Sequence, residues 1–258
     1  MKKPPAPFAF SNPPMAPPPE LKKPIPKREY NFTATDPTTL VNDCLILDYL
    51  HPNDEGVVPI PLCFTEGQGK LILALGENAS GKSFFRRVVQ SVCKHVGMEC
   101  IHLSMQGRTS RTPDMGFARL FVYGQEDDDS TGQNSSKTVL GAIRTSRGRE
   151  EKHVLFWDEP DIGLSDSWAA SVGIEIRNFL EQTTDQLVAA IIVTHNKELV
   201  KQLIPAKPHL LSFRDHPYTL DEWLTSPVEP KPLTLLQELS SARYHLIRKV
   251  MLKNKIAT

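Results

Sequence analysis

Charge of one sign is missing from this chain: 30 Lys+Arg stand against 30 Asp+Glu, a formal charge of +0 over 258 residues. A protein whose main task is coating a nucleic-acid backbone is therefore not expected, although a local patch can sit inside a neutral total. Cysteine is scarce. The four thiols, Cys44, Cys63, Cys93 and Cys100, form neither a CxxC pair nor a metal-ligand spacing, and no apolar leader follows Met1. A reducing cytoplasm is the expected compartment, with the thiols serving as small buried hydrophobes. Long apolar runs are also lacking. The longest, Leu187 to Val193, is seven residues, against the roughly 20 that cross a bilayer, so direct membrane insertion is not expected. What is there, 40% hydrophobic and 23% charged residues, is globular composition that excludes a fibrous or fully disordered chain and supports one main core.

Ten of the 22 prolines fall in the first 26 residues, where no hydrophobic period can establish itself. Residues 1–29 read as a polyproline or disordered tail, a tether or a ligand for an aromatic groove. From Tyr30 short apolar runs alternate with amphipathic stretches. Strands are predicted at Cys44–Leu50, Lys70–Leu75, Glu99–Met105, Ala118–Tyr123, His153–Trp157, Leu187–Thr194 and His209–Phe213, and helices at Gly81–His95, Ser136–Arg147, Ser165–Thr183 and Lys197–Leu203. Several strands are apolar at consecutive positions, which fits a largely parallel sheet covered on both faces. An α/β domain over 30–216 follows, with helices flanking a central sheet. Residues 217–258 form a C-terminal helical extension, whose segment Pro232–Lys253 spaces Leu235, Leu239, Ala242, Leu246 and Val250 along one helix face.

The strongest local signal is Gly76-Glu77-Asn78-Ala79-Ser80-Gly81-Lys82-Ser83, which satisfies G-x-x-x-x-G-K-[ST] at every fixed position. Its context is a strand before and a helix after. Gly76 and Gly81 permit turns that aim successive N–H groups inward, and the following helix adds its N-terminal dipole, making a cradle for polyphosphate. Lys82 would reach the outer phosphates and Ser83 would hold Mg²⁺ through its hydroxyl. The second signal is His153-Val-Leu-Phe-Trp-Asp158-Glu159-Pro160, an apolar strand ending in two carboxylates, placed next to the loop in this reading. Asp158 is the expected metal partner and Glu159 the group that polarises an attacking water. A third strand, Leu187 to Thr194, ends in His195, placed to contact a γ-phosphate.

The ordered set GENASGKS, VLFWDEPDIGLSD and IIVTHN resembles the ABC-class P-loop ATPases, which include transporter nucleotide-binding subunits and the SMC-like and DNA-repair ATPases. The resemblance covers about residues 70–196. It implies a P-loop fold, ATP and Mg²⁺ as ligands, a D-loop at Leu164-Ser165-Asp166 and His195 as the switch histidine. By the same resemblance Gln125, after Ala118–Tyr123, would help hold Mg²⁺, and Ser130 and Gly132 would be the signature residues that complete the site of a second subunit. Tyr49 is either an adenine-stacking aromatic or a core tyrosine.

The spacing departs from the family. Lys82 and Asp158 are 76 residues apart, shorter than in transporter subunits, and the helical subdomain that meets a membrane permease has no room. The expected activity is therefore ATP hydrolysis in a soluble switch, a homodimer or a heterodimer with a related ATPase, acting on a partner effector protein or DNA. Two alternatives stay open: an ATP-binding subunit of a transporter, and a nucleotide-gated scaffold with little turnover. A GTPase would want Asn-Lys-x-Asp, where this chain has Asn196-Lys197-Glu198-Leu199. Basic clusters at Gly107–Arg111 and Arg144–Lys152 are interleaved with acidic and polar residues and read as solvated loops or as phosphate contacts.

Overall fold

Consecutive apolar residues need cover on both sides of a strand, and that requirement organises the molecule. The computed structural model describes residues 30–47, 50–51, 56–104, 130–217 and 219–255. Its elements run α1 (Pro37–Leu45), β1 (Cys63–Thr65), β2 (Leu71–Leu75), α2 (Lys82–His95), β3 (Glu99–Ser104), α3 (Thr131–Arg147), β4 (His153–Asp158), α4 (Asp166–Glu181), β5 (Leu187–Val193), α5 (Lys197–Leu203), β6 (His209–Ser212), α6 (Leu220–Thr225) and α7 (Leu233–Lys255). Six strands form one sheet in the order β1-β6-β2-β5-β4-β3. Five of them are parallel, and β1 adds antiparallel to β6 at one edge.

The pleat divides the core in two. Ile72, Ala74, Val154, Phe156, Ile191 and Val193 face the layer of α1 and α2, where Leu40, Phe85, Val89 and Val92 are buried. Leu71, Leu73, Leu75, Leu155, Trp157, Ala190 and Ile192 face α3, α4 and α5, burying Val139, Ala142, Ile176, Phe179, Leu199 and Leu203. The result is a three-layer α/β/α sandwich.

Three expectations change. Cys44–Leu50 is not a strand, because α1 occupies Pro37–Leu45. Asp36 caps that helix by accepting from the Thr39 N–H while the Thr39 hydroxyl oxygen accepts from the Asp36 N–H, and Pro37 starts the first turn. Leu40, Val41 and Cys44 then share one buried helix face, a spacing that a run rich in β-formers disguised. Helix α3 starts at Thr131 rather than Ser136, since Ser130 is its N-cap. The carboxylate strand β4 is not the immediate neighbour of β2, since β5 lies between them, although Asp158 remains within electrostatic reach of Lys82. The short elements β1 and α6 were not anticipated. Ala118–Tyr123 and residues 1–29 lie outside the described residues. Among the described residues no helix is long and apolar enough to cross a membrane.

Candidate functional site

Parallel strands carry their carboxyl ends to one side, and the register fixes which residues meet there. Ser104 pairs with Asp158, Asp158 with Val193, Val193 with Ala74, and Leu75 with Ser212. The loop after β2, the two carboxylates after β4 and the Thr194-His195 pair after β5 therefore share one rim of the sheet.

The loop at 76–83 is shaped by close approaches. A side chain at Gly76 would meet Phe213 Cβ at 2.7 Å and Ser80 Oγ at 2.8 Å. Ala79 (φ +62°) and Gly81 (φ +109°) both adopt left-handed backbone, which turns the loop back on itself. Lys82 opens α2 and is only 7% exposed. Its ammonium donates to the carbonyls of Gly76 (2.8 Å) and Glu77 (2.6 Å). Burial pushes its pKa down to about 8, against the opposing pull of Glu159, Asp158 and Glu77. Ser80 is equally enclosed, and its hydroxyl has no hydrogen-bond partner. Asn78 and Ser83 are exposed at the rim.

Across the rim, the Asp158 and Glu159 carboxyls are both raised above the ordinary range. Burial is the main cause for each; Arg86 and Lys82 oppose it at Asp158, while Asp158 adds to it at Glu159. Glu159 sits at φ +55°, a conformation unusual for a side-chain-bearing residue, and its N–H is tied to the Val193 carbonyl at 2.8 Å. His195 Nε2 lies 3.7 Å from Glu159 Oε1. Lost hydration and the Lys82 cation push that imidazole down to about 4. At neutral pH it is uncharged, so the contact is a polar one rather than an ion pair.

Behind these groups the loops are stitched together. Thr194 Oγ1 donates to Asp161 Oδ1 (2.8 Å), the Asn196 N–H to Thr194 Oγ1 (2.9 Å), and the Asn196 amide to Asp166 Oδ1 (3.3 Å). Arg86, one helical turn beyond Lys82, hydrogen-bonds the His102 ring at 2.9 Å. Sequence reasoning passed over Arg86, Asp161 and Thr194. The four-residue spacing of Lys82 and Arg86 on one helix was the available signal for the first; the others needed the register.

The structure brings Gly76, Lys82, Asp158, Glu159 and His195 to one rim, and Ser130 and Gly132 open α3 against the segment that follows β4. Ser130 caps α3 by accepting from the Gln133 N–H. Gly132 abuts Gly163 and Leu164: a Cβ there would lie 2.9 Å from the Gly163 carbonyl oxygen. Gln125 and Tyr49 lie outside the described residues.

No family model and no curated protein matches this chain. Among solved structures it is similar to a chain in the crystal structure of the complex of archaeal ribosomal stalk protein aP1 and archaeal ribosome recycling factor aABCE1, with 12% identity and a TM-score of 0.36. The match covers 57% of this chain and 39% of that one. That overlap assigns neither a fold family nor a function.

Proposed function

We propose that the chain is an ABC-class P-loop ATPase that binds ATP with Mg²⁺ and hydrolyses it, working as a dimer switch for a partner protein or DNA. One observation carries the reading. A buried ammonium, satisfied by its own loop's carbonyls, and an enclosed hydroxyl without a partner sit opposite two carboxylates with raised pKa. Such a loop fits polyphosphate, because an anion supplies the direct ion-pair partner that Lys82 does not have among the described residues and an acceptor for the Ser80 hydroxyl. Among the described residues no three His, Cys, Asp or Glu side chains converge to hold a metal. A cation here would share phosphate oxygens with Ser83 and Asp158, joined by Gln125, as suits Mg²⁺. Bound there, it would neutralise charge on the phosphates.

The chain's own groups supply the rest. Gly76–Ser83 grip the phosphates through backbone N–H groups and Lys82. Glu159 takes the proton of a water whose oxygen attacks the γ-phosphorus as the bond to the departing ADP oxygen breaks. Its raised pKa makes it a stronger base than an ordinary carboxylate. Neutral His195 can donate a hydrogen bond to the γ-phosphate while keeping contact with Glu159. The exposed Trp168, 66% accessible at the start of α4, offers a second subunit an aromatic anchor beside the proposed D-loop.

The scaffold reading has its own support, since Ser130 serves as a helix cap and Gly132 as a packing contact. Hydrolysis by the wild type beside Lys82→Ala and Glu159→Gln, with and without DNA, separates the two. Turnover that falls at least about a hundredfold in both variants, with Glu159→Gln dimerising on ATP in size-exclusion chromatography, supports the switch. ATP binding without turnover supports the scaffold, and absence of ATP binding removes both.

A further inference from the structure

The loop at 76–83 accounts for phosphates, but nothing in it selects what the phosphates are attached to. The extension does. From Lys231 to Ala242 every residue is exposed, so this half of α7 stands clear of the domain. It is nevertheless held at both ends. Lys231 pairs with Glu77 of the phosphate loop, the Arg243 guanidinium donates to the Pro59 carbonyl, and Ile247 packs on the core beside α1 and α2. Ten residues of helix, about 15 Å, thus bridge the loop without collapsing onto it.

Beneath the bridge lies a cleft of about 600 Å³ lined by Ala79 of the loop and by Leu236, Gln237, Ser240 and Ser241 of α7. The cleft is a surface groove open to solvent rather than an enclosed cavity. The lining is uncharged. It combines an amide that both donates and accepts, two hydroxyls and one apolar side chain, a set that suits the hydroxyls of a ribose and the edge and face of a base rather than another phosphate. Because Ala79 belongs to the phosphate loop, whatever fills the cleft adjoins the phosphates.

We propose that α7 is the nucleoside-binding wall of the site, with Gln237, Ser240 and Ser241 contacting the sugar or base and Leu236 packing on it. This rests on the ATP reading above. It makes residues of the C-terminal extension determinants of nucleotide affinity, a role distinct from holding the phosphates.

The experiment is calorimetric titration of the full chain with ATP and with inorganic tripolyphosphate, both with Mg²⁺, for the wild type, Gln237→Ala and Ser241→Leu. Both substitutions fall on an exposed face and favour helix, and circular dichroism checks the fold. ATP binding weakened about tenfold, with tripolyphosphate affinity within about twofold of wild type, is the expected result. Equal loss for the two ligands, no change in either, or tighter ATP binding would overturn the proposal; the last would make α7 an obstruction. A wild type that binds tripolyphosphate as tightly as ATP also overturns it while leaving the phosphate site standing. A wild type that binds neither ligand removes the ATP reading itself.

Discussion

Lys82 is where the cost of a charged site is concentrated. Its folded pKa of about 8 lies below the ordinary 10.5, so between those values the folded state holds fewer protons than the unfolded state, and stability rises with pH across that window. Below it the buried ammonium costs on the order of 3 kcal/mol. Lys82→Met should therefore raise the melting temperature of the nucleotide-free protein at pH 7 by several degrees, and the advantage should shrink as pH climbs past 8 toward 10.5. Thermal melts of both proteins at pH 7 and 9.5 check this. A lower midpoint for Lys82→Met at pH 7 would show that the bonds to Gly76 and Glu77 outweigh burial. The neighbouring Glu159 shows the limit of reading residues alone. Its identity and its place after an apolar strand were legible, whereas its left-handed backbone depends on the tie to Val193, which only the sheet register creates.

The elements divide in the same way. Segments whose signal is local were legible: β2 with its loop and α2, β4 with its carboxylates, and β5 with His195. Helix α1 was not, because its Leu40, Val41 and Cys44 face is followed by Leu45-Ile46-Leu47, which fits a strand equally well, and the deciding capping box at Asp36 and Thr39 lies upstream. The segment at 130–135 reads as lying ahead of a helix that starts at Ser136, whereas Ser130 is the N-cap and the helix begins at Thr131. Its glycine has a packing reason, since the first turn of α3 meets the chain after β4 with Gly132 against Gly163, itself at φ +76° and so close to Thr131 that an added Cβ would lie 2.7 Å from the Thr131 Cβ. Gly132→Ala should lower stability by about 1–3 kcal/mol, read as a lower denaturation midpoint at an unchanged slope. Unaltered stability combined with lost ATP-driven dimerisation would instead place Gly132 at a subunit interface.

For the molecule as a whole, stability and function pull toward different layers. Strand β5 is buried along all seven residues between β2 and β4, so its amides should exchange with solvent only through global unfolding. Helix α7 is the opposite case. Its first half lies exposed and is held by one surface ion pair at Glu77 and by the contacts from Arg243 onward. An exposed ion pair contributes about 1 kcal/mol or less and weakens with salt. Native-state hydrogen exchange should accordingly rank β5 slowest and the amides of Leu235–Ser240 much faster, with added salt accelerating α7 and leaving β5 unchanged. Elements that admit a ligand are drawn from this low-stability end of a fold, so on the proposed ATP reading an α7 that opens on its own would let the nucleotide reach a loop that is otherwise bridged. Exchange in α7 as slow as in β5 would place the helix in the same cooperative unit as the sheet, and entry would then have to come from another side.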